Sequence, residues 1–238
     1  AKGINDSIKV NDLIIKGNGT FAQQITSISM LQQKKIINTV KTGMTAGKAL
    51  NSIALDVGKL GLLQSTVQTK TLIRTAITQT SMHVQNMTYA LNDDVVKGYQ
   101  YVATLDTRTS LICGRLDGKV FSLNSEFAPK PPKHFNCRST TVPIIKSADQ
   151  LLNTKNNRIK KRKLANISSA RRASMNGQVP ARLNYTTWLG KQTNDTKLTI
   201  LGSPKRVNIF NQGKLKLTQF SNKEGKLISL EKLEQLSS

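Results

Sequence analysis

Acidic residues are the scarce class in this chain: 13 Asp and Glu stand against 36 Lys and Arg, a formal net charge of +23 over 238 residues. A chain so charged repels itself and calls for a polyanion or an acidic partner, with nucleic acid the default expectation. Two cysteines exclude the dense disulfide framework of a small secreted domain, and an intracellular setting is expected. No apolar run approaches the roughly 18 residues that a spanning helix needs, and no basic-then-apolar leader is read at the start. The expectation is a soluble protein with no membrane partner. Aromatics make up only 5%, so the core is expected to be aliphatic, and 37% hydrophobic residues are lean but sufficient for one. P-loop, Gly-x-Ser-x-Gly and His-Glu-x-x-His patterns are all missing. Ala1 stands where Met would, as methionine removal or cleavage of a longer precursor would leave it.

What is present is organised in four parts. Phe21, Ile25, Ile28, Leu31, Ile37 and Val40 recur at mostly helical intervals after the Gly17-Asn18-Gly19 break, and a weaker helical stretch covers 46–57. Ile73, Ile77, Thr80, Val84, Met87 and Leu91 alternate by four and three, predicting one long helix from near Ser65 to Leu91. Tyr99, Tyr101, Ala103 and Leu105 alternate as a half-buried strand does. Asp117-Gly118 is a turn feeding a strand at Lys119-Val120-Phe121, and 140–145 is another strand. Lys155, Arg158, Lys160, Lys161, Arg162, Lys163, Arg171, Arg172 and Arg182 follow without an acid among them, a segment too polar to fold alone. Apolar residues return from Tyr185 onward. The predicted architecture is α+β: an N-terminal helical region (1–64), a central module (65–146) with the long helix packed on a small, mostly antiparallel sheet, a basic linker or arm (147–184), and a small C-terminal packing unit (185–238).

Chemistry-bearing residues concentrate between Leu105 and Ser139. Cys113, His134 and Cys137 are the only combination that suggests a transition metal, since thiolate and imidazole suit zinc. A four-ligand site would want cysteines where Ser110 and Ser139 stand. A disulfide between Cys113 and Cys137, or two buried thiols with His134 bonded to backbone, compete with zinc and are preferred to it; no cofactor is expected. Asp106 and Asp117 flank Arg108 and could hold Mg²⁺ for phosphodiester cleavage. The simpler reading is that Asp106, Arg108 and Asp117 shape the module, the first two by fixing the turn after the strand. His83, on the long helix, is expected to be a packing or surface residue.

The same stretch resembles the phage Mu F-like minor head proteins, also called phage head morphogenesis proteins. The resemblance rests on Val96-Lys97-Gly98-Tyr99-Gln100-Tyr101, Thr104-Leu105-Asp106-Thr107-Arg108-Thr109, Cys113 with Leu116-Asp117-Gly118-Lys119-Val120-Phe121, then Pro131-Pro132-Lys133-His134 and Asn136-Cys137-Arg138. Ile73-Arg74-Thr75-Ala76 and Asn86 look like the helix before this block. Tyr185 to Leu189, Leu201-Gly202, Arg206 to Phe210, Gly213-Lys214-Leu215 and Leu227 to Leu233 are similar to a C-terminal extension in part of the family. Many members carry cysteines where this chain has Ser110 and Ser139, so their metal site does not carry over intact.

The resemblance implies a low-copy, non-enzymatic structural component of a tailed-phage head, assembled in the host cytoplasm and located in the capsid interior near the portal. Its implied partners are portal or capsid proteins and packaged DNA, and the basic residues from Lys155 to Arg182 suit phosphate contacts that read no sequence. A DNA-binding protein ejected with the genome, a metal-dependent nuclease and a host nucleoid protein are the alternatives.

Overall fold

A computed structural model describes residues 29–61, 66–123, 125, 128–147, 170–223 and 225–237. The chain divides into two compact units: residues 1–91 with 130–138, and residues 92–129 with 139–238. The long helix therefore belongs with the N-terminal helices and the sheet with the C-terminal half. The expected module 65–146 is split between the two.

Among the described residues the first unit has three helices: α1 (Met30–Thr45), α2 (Leu50–Gly58) and α3 (Thr66–Leu91). Ser29 opens α1 with a reciprocal cap, its hydroxyl accepting from the Gln32 N–H while the Gln32 side chain accepts from the Ser29 N–H. The part of the expected 21–40 helix before Ser29 lies outside the described residues, and the described part runs on to Thr45. Ile36 and Val40 of α1 pack with Ile53, Ala54 and Val57 of α2 and Ile73 of α3, and Phe135 of the returning segment packs against them. Leu31, expected on the buried face, is exposed. Gly43 lets α1 and α2 approach closely, since a Cβ there would lie 2.6 Å from Ile53 Cγ1.

The long helix matches its predicted bounds but not its predicted stripe. Thr69 and Ile73 are buried in its first half and Met82 and Tyr89 in its second, whereas Val84 and Leu91 are exposed. Nine residues separate Ile73 from Met82, and at about 100° per residue they lie on opposite sides of the helix. The four-and-three spacing marks one continuous face, but two sides of the helix are buried, one at Thr69 and Ile73 and the opposite one at Thr75, Met82 and Tyr89.

In the second unit, β1 (Val96–Val102) is the centre of a three-stranded antiparallel sheet, flanked by β2 (Val120–Ser122) and β3 (Thr140–Ile145). The register sets Tyr99 opposite Phe121 on one side and Pro143 on the other. Proline fits there because β3 is an edge strand in which a missing N–H breaks no second ladder. A short helix α4 (Leu111–Gly114) lies between β1 and β2, and a hairpin of β4 (Arg171–Ser174) and β5 (Gly177–Pro180) follows. Residues 148–169 of the expected basic arm, including Lys155, Arg158 and Lys160 to Lys163, lie outside the described residues. The rest of that arm is a docked hairpin, tied by the Met175 N–H to the Leu105 carbonyl at 2.9 Å.

Three short helices come next: α5 (Tyr185–Gly190), α6 (Asn194–Leu201) and α7 (Pro204–Asn211). Each opens on a side chain that accepts a helix N–H, Asn184, Thr193 and Ser203 in turn, and Pro204 takes the first position of α7. A 3₁₀ turn (Leu217–Gln219) and α8 (Leu230–Ser237) close the chain. Their core joins Leu105 and Leu111 to Tyr185, Trp188, Leu201, Phe210, Phe220 and Leu233. The expected C-terminal packing unit thus shares one core with the motif block. That core is also seeded by aromatics rather than purely aliphatic, with Tyr185 and Trp188 centroids 5.1 Å apart.

Candidate functional site

Asp117 is the hub of the second unit. Its carboxylate is fully buried and accepts from the Ala103 N–H (2.7 Å), the Tyr185 N–H (2.7 Å), and Arg172 Nη2 (2.9 Å) and Nη1 (3.1 Å). Arg172 also donates to the carbonyls of Leu183 (3.1 Å) and Ala103. A buried carboxylate is tolerated only when paired and fully hydrogen-bonded, and the Arg fork supplies two parallel donors to do so. One side chain thereby joins the end of β1, the α4–β2 turn, the β4–β5 hairpin and the start of α5. Arg172, expected among the DNA-contacting cations, is instead committed to this pair and is only 11% exposed. Arg171 and Arg182 remain exposed.

Asp106 does what the sequence predicts of it. Its Oδ1 accepts from the Arg108 N–H (3.0 Å) and the Thr109 hydroxyl (3.2 Å), closing an Asx-type turn after Leu105. The Arg108 guanidinium lies 3.7 Å from Oδ2 and points to solvent at 79% exposure, so the ion pair adds little. Tyr185 fastens the turn from behind, its hydroxyl donating to the Asp106 carbonyl at 3.1 Å. Gly114 makes room for that ring: a Cβ would fall 2.7 Å from Tyr185 Cδ1.

The cysteine and histidine set is divided between the units. In the second, Cys113 is buried on α4 with its Sγ 3.2 Å from the Tyr101 hydroxyl, and the buried Ser110 Oγ has no hydrogen-bond partner among the described residues. In the first, Asn136 adopts a left-handed φ of 53° and ties the segment to α3, its N–H donating to Thr75 Oγ1 and its Nδ2 to Thr71 Oγ1. Thr78 Oγ1 donates to the Cys137 carbonyl (3.4 Å). His134 Nδ1 lies 2.7 Å from the Phe135 carbonyl. A hydrogen bond with the Cys137 side chain, aided by that carbonyl, holds the imidazole above its usual 6.5 against the opposing effect of burial. Neither cysteine forms a disulfide among the described residues. With hydroxyls at Ser110 and Ser139, the donors do not fit a closed structural zinc site, which takes four Cys or His ligands. His83, half-buried on α3, has no hydrogen-bond partner for Nε2 among the described residues.

Sequence reasoning misses Arg172 and Tyr185 as partners of the motif block. Both follow Asp117 by more than fifty residues, and Arg172 is hidden in a run of cations. The one available signal is Asp117 itself, one of 13 acidic residues in a very basic chain.

No curated protein and no solved structure matches the chain. Residues 34–142, a little under half of it, match the family model described as phage Mu protein F like protein. The match takes in Asp106, Arg108, Cys113, Asp117, His134 and Cys137 and ends inside β3, so Arg172 and Tyr185, which complete the Asp117 hub, come from outside it. The segment 34–142 is thus similar to phage Mu protein F like proteins, the family that its motifs resemble.

Proposed function

We propose that the chain is a structural minor head protein of a tailed bacteriophage, acting in head morphogenesis from the capsid interior near the portal and contacting packaged DNA. The match over residues 34–142 carries the reading. The charge of +23 supports it, because a protein packed against dense phosphate gains from cations that release counterions without reading sequence. Lys155, Arg158, Lys160, Lys161, Arg162 and Lys163, with Arg171 and Arg182, are its DNA contacts, and portal or capsid proteins are its partners.

The use of the carboxylates supports a non-enzymatic role. Asp117 is sealed and neutralised by Arg172, and Asp106 is spent on its turn, so the pair offers no open ligand positions to Mg²⁺. The reading needs no cofactor. No helix among the described residues is long and apolar enough to cross a membrane.

The DNA contact is tested by salt dependence. Replacing Lys160, Lys161, Arg162 and Lys163 with Ala should weaken duplex binding for every sequence alike and flatten the plot of log affinity against log salt by roughly 0.9 for each phosphate no longer neutralised. An unchanged slope assigns DNA binding elsewhere, and Mg²⁺-dependent nicking abolished by Asp106→Asn, in a variant that circular dichroism shows to be folded, would replace the structural reading with the nuclease.

A further inference from the structure

We propose that the cavity between the β4–β5 hairpin and α5 is a docking pocket for an acidic, apolar peptide segment of a partner protein. The inference goes beyond the DNA reading and reassigns Arg182, one of that reading's contacts, to the cavity. The cavity measures about 610 Å³, within the size range of built ligand sites. Val179 and Pro180 of the hairpin, Leu183 and Trp188 give it apolar walls, Arg182 and Lys191 are its charged residues, and every other lining residue is uncharged.

Charge and the apolar walls define the occupant. Both charges are positive and exposed, with no carboxylate among the described residues lining the cavity to balance them, so an anionic group is drawn to the mouth. The apolar walls favour a peptide over DNA. A phosphodiester backbone would satisfy Arg182 and Lys191 but leave Val179, Pro180 and Leu183 uncovered, whereas an acidic segment with Leu or Phe neighbours uses both.

The chain contains a single tryptophan, so the intrinsic emission of the full-length protein reports on this cavity. The probes are pooled acetylated hexapeptides of Asp, Leu and Phe in all orders, with matched pools in which Ser or Lys replaces Asp, and a single-stranded oligonucleotide. The expected result is a saturable change in Trp188 emission with the Asp pool and none with the Ser or Lys pools. Arg182→Glu with Lys191→Glu should weaken the Asp response about tenfold and make the Lys pool active. Both positions are exposed, and circular dichroism confirms that the variant is folded. No response to the Asp pool at millimolar peptide overturns the proposal. So does an equal response to the Lys pool, which would mean an uncharged apolar cleft, or a response to the oligonucleotide alone, which would make the cavity part of the DNA surface.

Discussion

The Asp117–Arg172 pair gives the sharpest stability prediction. Arg172→Met keeps a long apolar stem but removes all four guanidinium bonds, leaving the Asp117 carboxylate fully buried with only the Ala103 and Tyr185 N–H groups. Breaking a buried pair from one side costs about 3–5 kcal/mol, because the remaining charge stays desolvated and uncompensated. Asp117→Asn should cost a similar amount, since it leaves Arg172 unpaired and turns an amide NH₂ toward a set of donors. The double variant should be milder than the sum of the two by more than about 1 kcal/mol, the mark of a coupled pair. Urea unfolding followed by Trp188 emission reports on this unit alone, and with a slope of about 2 kcal/mol per molar the single variants should lower the midpoint by about 2 M. Arg172→Lys should rescue only part of the stability, because an ammonium cannot reproduce the two-pronged bond. If Arg172→Met shifts stability by less than about 0.5 kcal/mol, the hub is wrong and Arg172 returns to the free cations of the arm.

Two further expectations concern other parts of the chain. Gly43→Ala should destabilise the helical unit by about 1–3 kcal/mol, the usual cost of overpacking, because its Cβ would meet Ile53 Cγ1 at 2.6 Å; circular dichroism at 222 nm during thermal unfolding reads it, and an unchanged midpoint contradicts the close approach of α1 and α2. Burial pushes the Tyr99 hydroxyl up to about 12. An unfolded tyrosine ionises near 10, so the stability this group contributes is complete below pH 10 and is lost as pH rises toward 12. Tyr99→Phe should flatten the alkaline fall in the urea midpoint, and an identical fall in the variant refutes the assignment.

Local chemistry is legible in the sequence and long-range pairing is not. The bounds of α3, the strand through Tyr99 and Tyr101 and the turn at Asp106 each follow from periodicity or side-chain chemistry within a few residues. The burial of two opposite sides of α3 does not, because a helix presents apolar residues at the same intervals whichever neighbour covers them, and the second side is marked by Thr75, Met82 and Tyr89 opposite Ile73. Asp117 reads as a turn residue because Asp-Gly is a strong local signal. Its real partners stand 55 and 68 residues away. The hairpin at 171–180 is hidden for a related reason: charge dominates the reading of that segment, while its fastening to Leu105 is a backbone bond that no side chain announces.

The central claim, a head protein of the virion, is tested most directly by quantitative mass spectrometry of purified particles before and after genome release, normalised to the portal subunit. A constant ratio across release is the predicted result. Loss with the DNA would make the chain an ejected protein, and absence from both samples would contradict the account.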